Sequence, residues 1–298
     1  MPQVLIIGCG ETGCRVAQLE QASGNAVLGI VRSASACEKL ASLKIPFLQV
    51  DLDQVCSFWR EGWCESWIYY FVPPLNATLK NASIETLLDL RLDCFLKNFS
   101  PRSQPSKMLL SSTTGVYGNC NGRWINESTP PNPQSMRSKQ RLAAESLFLS
   151  RSQPLNFSAV ILRIAAIYGS GRLPLEKIRQ QQPVLPLEKS PWTNRIHIDD
   201  LAQVCFLAMR KELPSLIYNV SDGHPLRMTD YFFQVADFFH LTRPPILPLA
   251  EARLQWTPEF LSYWEESKRL ENRYLLEDLQ LQLKYPNLQS GLVAEVNH

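Results

Sequence analysis

The sequence has no C-x-x-C pair, no run of Lys or Arg and no apolar stretch of membrane length, and each absence removes a class of function. Its eight cysteines (9, 14, 37, 56, 64, 94, 120, 205) are scattered, and with only four histidines no metal-ligand spacing arises. No metal site is expected. Thirty basic against 28 acidic side chains leave a net charge of +2 with no basic stripe, so no nucleic-acid partner is expected. The longest apolar stretch, Trp67 to Leu75, is broken by Pro73-Pro74 and falls far short of the ~20 residues a membrane helix needs. The start, MPQVLIIGCG, has neither a charged n-region nor a cleavage site, so reduced thiols in a cytoplasmic protein are expected.

What is present is an ordinary globular composition, 45% hydrophobic and 19% charged over 298 residues, enough for one main core. The run Val4-Leu5-Ile6-Ile7 turns at once into Gly8-Cys9-Gly10-Glu11-Thr12-Gly13 and then into helical spacing at Val16 and Leu19. Strand-like pieces at Ala26–Val31, Phe47–Val50, Trp67–Val72, Met108–Leu110 and Ala159–Ile164 alternate with helix-like ones. Long amphipathic helices are expected at Ile84–Phe99 and after Pro133. Such alternation predicts an α/β fold of Rossmann type, a doubly wound parallel sheet with a small C-terminal substrate lobe. We expect the core over residues 1–168 and the lobe, interleaved with it, over 169–298. Trp59, Trp63 and Trp67, spaced by four, read as packing.

Gly8-x-Gly10-x-x-Gly13, placed between a strand and a helix, predicts a dinucleotide site. Gly8 permits the turn, Gly10 admits the pyrophosphate, Gly13 lets the helix pack, and the amides of Glu11 and Thr12 at the helix start donate. About 20 residues further on, where an NAD site places a carboxylate, the strand ends in Arg32-Ser33. A guanidinium beside a hydroxyl suits a 2′-phosphate, so NADP(H) is expected in preference to NAD(H).

The segments Ser111-Ser112-Thr113-Thr114-Gly115-Val116-Tyr117-Gly118, Ser135-Met136-Arg137-Ser138-Lys139, Leu162–Arg172, Arg195–Ala202 and Tyr218–Asp222 carry a resemblance over nearly the whole chain. It resembles the extended short-chain dehydrogenase/reductase family, and within it the atypical, YeeZ-like branch with an NAD-dependent epimerase/dehydratase-like domain. That resemblance implies hydride transfer with a tyrosinate exchanging the substrate proton and a lysine lowering the tyrosine pKa and binding the nicotinamide ribose. It places Thr113 on the substrate-binding Ser/Thr and Lys139 on the lysine. Ser135 stands where the tyrosine should be, and an alcohol cannot replace a phenol of pKa ~10. Ala166 stands where nucleotide-sugar enzymes of the family usually have Asn.

Tyr117 and Tyr168 are the phenols expected beside the cleft. His197 reads as structural, and one of Asp199 and Asp200 as a cap for the following helix. Two functions follow: an NADP(H)-dependent oxidoreductase or epimerase-like enzyme on a small or nucleotide-sugar-like substrate, or an NADP(H)-binding sensor or assembly module without turnover. In the family, helices equivalent to 84–99 and the one after Ser135 often form a homodimer bundle. Burial of both against this chain's own sheet is the competing reading.

Overall fold

The computed structural model describes residues 3–54, 63–74, 88–100, 104–169 and 171–296. Strands β1 (Gln3–Ile7), β2 (Ala26–Val31), β3 (Phe47–Gln49), β4 (Trp67–Tyr70) and β5 (Lys107–Thr113) form one sheet with Ser158–Ile164 and Ile217–Val220. From edge to edge the order is Ile217–Val220, Ser158–Ile164, β5, β4, β1, β2, β3, every pairing parallel. This is the doubly wound sheet that the alternating pattern predicts. The order reverses between β1 and β4, where an open α/β sheet leaves a crevice at its carboxyl ends.

Both faces of the sheet are covered, which is why its strands are nearly continuous apolar runs. Along β1, Val4 and Ile6 pack with Val16 and Ala17 of α1 (Glu11–Ala22) and Leu201, Val204 and Ala208 of the helix Ile198–Arg210. Leu5 and Ile7 point the other way, onto Leu92 and Phe95 of α3 (Leu90–Leu96) and Ala144 and Phe148 of α4 (Met136–Ser152). Each fully buried Leu or Phe contributes about 1.5–3 kcal/mol. A separate cluster around Tyr168, Phe232, Val235, Trp264 and Leu292 forms outside the sheet from residues after Ile167.

Several local details differ from the sequence expectation. α3 begins at Leu90, where the Asp89 carboxylate caps the helix by accepting from Leu92 N at 3.1 Å, and residues 84–87 lie outside the described residues. α2 (Ala34–Ser42) starts on Ser33, whose Oγ accepts from Ala36 N. His197, not an aspartate, caps the helix Ile198–Arg210: its Nδ1 accepts from Asp199 N at 3.2 Å. Both aspartates instead sit in that helix's first turn, where a carboxylate is favoured by the dipole. Asp199 takes Arg15 at 2.7 Å, and Asp200 accepts the backbone amides of Lys284 and Tyr285. Trp63 is buried and Trp67 partly so, while Trp59 lies outside the described residues. Among the described residues six cysteines are free, but Cys94 on α3 is disulfide-bonded, so the all-thiol expectation fails there.

The sheet is tied to α4 by a buried ion pair. Arg163 Nη2 lies 2.7 Å from Glu145 Oε2, and Ser112 Oγ donates to the same carboxylate. Removing one partner strands the other charge in the core. Glu145→Ala is therefore expected to cost about 3–5 kcal/mol in urea unfolding. Near the end of Ile217–Val220, burial pushes the Asp222 carboxyl up to about 7. The folded chain holds this proton above pH 4, where the unfolded carboxyl has lost it, so stability declines as pH rises toward 7. Asp222→Asn should flatten that decline in a series of melts across pH, and an unchanged slope would count against it.

Candidate functional site

The glycine turn lies at the carboxyl end of β1, beside the crevice. Gly8 has φ +80°, and a Cβ there would meet Val72 Cγ2 at 3.0 Å and Val72 N at 3.1 Å, so only glycine fits. Gly10 faces open space: the nearest atom to an added Cβ would be Gly8 O, 3.9 Å away. Gly13 packs α1 on the sheet, since a Cβ would lie 3.1 Å from Ile6 Cγ2. Gly10 is also the N-cap of α1 and has no side chain to bond the helix amides. The first helical bond is Cys14 N to Gly10 O at 2.8 Å, which leaves the amides of Glu11, Thr12 and Gly13 without helical acceptors. Three donors and a positive dipole end facing an open cradle fit a diphosphate.

A cavity of about 200 Å³ covers this turn, lined by Gly8, Gly10, Glu11, Thr12, Gly13, Phe71, Ser111 and Arg172 among others. Arg172 is a lining residue that the sequence reading did not single out. Its cue is a cation after Gly169 and Gly171, both at positive φ, in the turn that follows the strand Ala166–Tyr168. The Glu11 side chain, by contrast, turns away from the cradle. It accepts from Lys39 at 2.8 Å and from Arg15 at 2.6 Å, and these cations hold its carboxyl below the usual range. What Glu11 offers the cavity is its amide, and its charge is neutralised.

A second cavity of about 200 Å³ shares Gly8 and Phe71 with the first and runs toward the tip of β2. Ile30, Val31, Leu52 and Pro73 give it apolar walls, and Arg32, Asp51 and Arg91 supply polar groups. Together the two hollows make an elongated slot, apolar at one end and lined with amides at the other. Arg32 is 64% exposed at its mouth, 3.5 Å from Asp53. Ser33 Oγ contacts Ser35 Oγ at 3.2 Å besides capping α2. Larger hollows, about 590 and 470 Å³, border the Arg15–Asp199 pair, but those charges already bind each other.

Thr113 ends β5, and its Oγ1 accepts from Gly115 N at 3.2 Å. The turn it begins packs on the first turn of α4: a Cβ on Gly115 would lie 2.6 Å from Ser138 Oγ. The turn after Thr113 and the start of α4 therefore lie together, and neither Thr113 nor Lys139 lines either cavity. Lys139 is exposed, and no side-chain hydrogen bond or ion pair engages its ammonium among the described residues. Ser135 Oγ donates to Ser138 Oγ at 2.9 Å and accepts from Ser138 N at 3.3 Å, so it serves as the cap of α4.

Neither expected phenol is available as a substitute. Tyr117 is buried with its hydroxyl on Asn219 Oδ1 at 2.8 Å, and Tyr168 is buried with its hydroxyl on Asn287 O at 3.1 Å. Burial raises the pKa of both, the wrong direction for a tyrosinate. Among the described residues no group of three metal-ligating side chains is present, and no helix is long and apolar enough to cross a membrane.

The NAD dependent epimerase/dehydratase family model matches residues 73–221, half of the sequence. The chain belongs to that family. The match starts beyond the glycine turn, so the turn's geometry is an independent observation. No curated protein matches the sequence. Among solved structures, a functionally unknown conserved protein from Silicibacter pomeroyi DSS is 26% identical, with 100% of this chain and 99% of that one covered and a TM-score of 0.79. A putative NAD-dependent epimerase/dehydratase from Methylobacillus flagellatus is 27% identical, covering 99% and 98%, with a TM-score of 0.70. UDP-glucose 4-epimerase of Thermus thermophilus, solved with NAD, shares the fold at 21% identity, 99% and 98% coverage and a TM-score of 0.77. The family member is thus an epimerase-like protein of the nicotinamide dinucleotide class.

Gly10→Ala should leave the melting temperature of the free protein nearly unchanged, because its Cβ enters open space, yet reduce the stabilisation given by NADP+. Arg172→Ala should weaken NADP+ about tenfold, the loss of one charge-assisted contact. Calorimetric titration of both variants checks this, and wild-type affinity in both would remove the slot as the site.

Proposed function

We propose that the chain is an NADP(H)-dependent oxidoreductase or epimerase-like enzyme acting on a small or nucleotide-sugar-like substrate. The observation that carries this reading is the elongated slot with α1's first-turn amides at one end and Arg32 at the other. The amides of Glu11, Thr12 and Gly13, with Arg172, would hold the diphosphate, and the cavity walls Ile30, Val31 and Leu52 the adenine. Arg32 would meet a 2′-phosphate, for which a guanidinium is the matching partner. Ser33 would add its hydroxyl, and Lys139 would reach the nicotinamide ribose. When bound, the nicotinamide supplies or accepts hydride. Thr113 would then orient the substrate against it, in a cleft between the core 1–168 and the lobe 169–298.

The state of Ser135 favours a second reading, a cofactor-binding sensor or assembly module. Its hydroxyl is committed to the cap of α4, and the two neighbouring family tyrosines are sequestered, so the usual proton exchange has no phenol there. The homodimer reading stands beside both. Leu92, Phe95, Ala144 and Phe148 pack on the chain's own sheet, so any partner would use the outer faces of α3 and α4.

NADPH consumption across nucleotide sugars, aldehydes and ketones separates the two functions. The enzyme reading expects turnover with at least one class, reduced at least tenfold by Lys139→Ala, with light scattering giving the assembly state. Tight NADPH binding without turnover on any class would favour the sensor.

A further inference from the structure

At the adenosine end of the slot, two arginines from distant parts of the chain converge on one carboxylate. Arg91, near the start of α3, donates from Nε to Asp53 Oδ1 and from Nη2 to Asp53 Oδ2, each at 2.5 Å, and from Nη1 to Pro73 O at 3.2 Å. Arg32 Nη1 stands 3.5 Å from the same Oδ2. Arg91, chiefly, and Arg32 hold the Asp53 carboxyl below the usual range. Arg91 is only 12% exposed, and it lines the cavity together with Arg32 and Asp51. One Asp51 oxygen is already taken by the Asp53 amide at 3.1 Å.

We infer that Arg91 is a second specificity residue for the 2′-phosphate, and that Asp53 holds the phosphate's place in the free protein. A guanidinium fork donates to two oxygens of a carboxylate or of a phosphate in the same geometry. A phosphomonoester near −2 offers the two guanidiniums more charge and more acceptor oxygens than the single carboxylate of Asp53 does. A ribose hydroxyl brings no charge and gains nothing by displacing Asp53. The inference rests on the NADP(H) reading and adds two residues to it, neither of which lies at the end of β2 where that reading began.

The test is calorimetric titration of the full-length protein with NADP+ and with NAD+, for wild type, Arg91→Ala, Arg91→Lys and Asp53→Asn. Arg91→Ala should weaken NADP+ by about tenfold or more and NAD+ by less than about threefold, and retained NAD+ binding certifies the fold. Arg91→Lys should fall between, because a point charge lacks the fork. Asp53→Asn removes the competing anion and should tighten NADP+ several-fold without improving NAD+. Equal losses for the two cofactors in Arg91→Ala, or weaker NAD+ binding in Asp53→Asn, would overturn the inference alone, the second by making Asp53 the ribose acceptor. A wild-type protein that prefers NAD+ would overturn the NADP(H) reading and this inference with it.

Discussion

Helix α1 begins on a residue with no side chain to cap it, and its first three amides are left with no helical acceptor. Five described helices begin differently: Asp89, Ser135, His197, Ser33 and Thr257 each use a side chain to bond a first-turn amide. The helices that start after Pro174, Arg227, Pro248 and Asn272 also lack a side-chain cap, but the start of α1 lies against a cavity that Arg172 also lines, where its amides can donate to an external acceptor. The positive φ of Gly8 and the closeness of Gly13 to Ile6 hold the open end at the crevice between β1 and β4. The cofactor reading hangs on that uncapped turn.

At the opposite corner, the resemblance to the family implies a phenol at the start of α4, and the residue standing there is Ser135, whose hydroxyl closes the helix. The two roles exclude one another, because an oxygen accepting from Ser138 N and donating to Ser138 Oγ has little left to offer a ligand. Lys139 nonetheless keeps its exposed place, four residues on and on the same side of the helix. On the proposed reading this corner offers a cation and no phenol, so the geometry supports cofactor binding ahead of any reaction.

The parallel sheet was legible because β1, β4 and β5 are apolar runs separated by helical spacing, and the roles of Gly8, Gly10 and Gly13 because local sterics dictate them. Glu11 was legible only in part. The position is right, but its side chain answers to Lys39, 28 residues away in sequence, and local pattern cannot show that. Arg91 and Asp53 meet only after β4 and α3 have packed, so no spacing in the chain announces them. The aspartates at 199 and 200 were misassigned because histidine is an uncommon cap, and a ring nitrogen had taken the place expected of a carboxylate. Element ends shifted by a few residues where caps such as Asp89 competed with apolar periodicity.

The most direct measurement is a crystal structure of the protein grown with NADP+. The account predicts the diphosphate within hydrogen-bonding distance of the Glu11 and Thr12 amides, with Arg172 beside it and the adenine between Ile30 and Leu52. Dinucleotide bound elsewhere, with the first turn of α1 still bare, would contradict it.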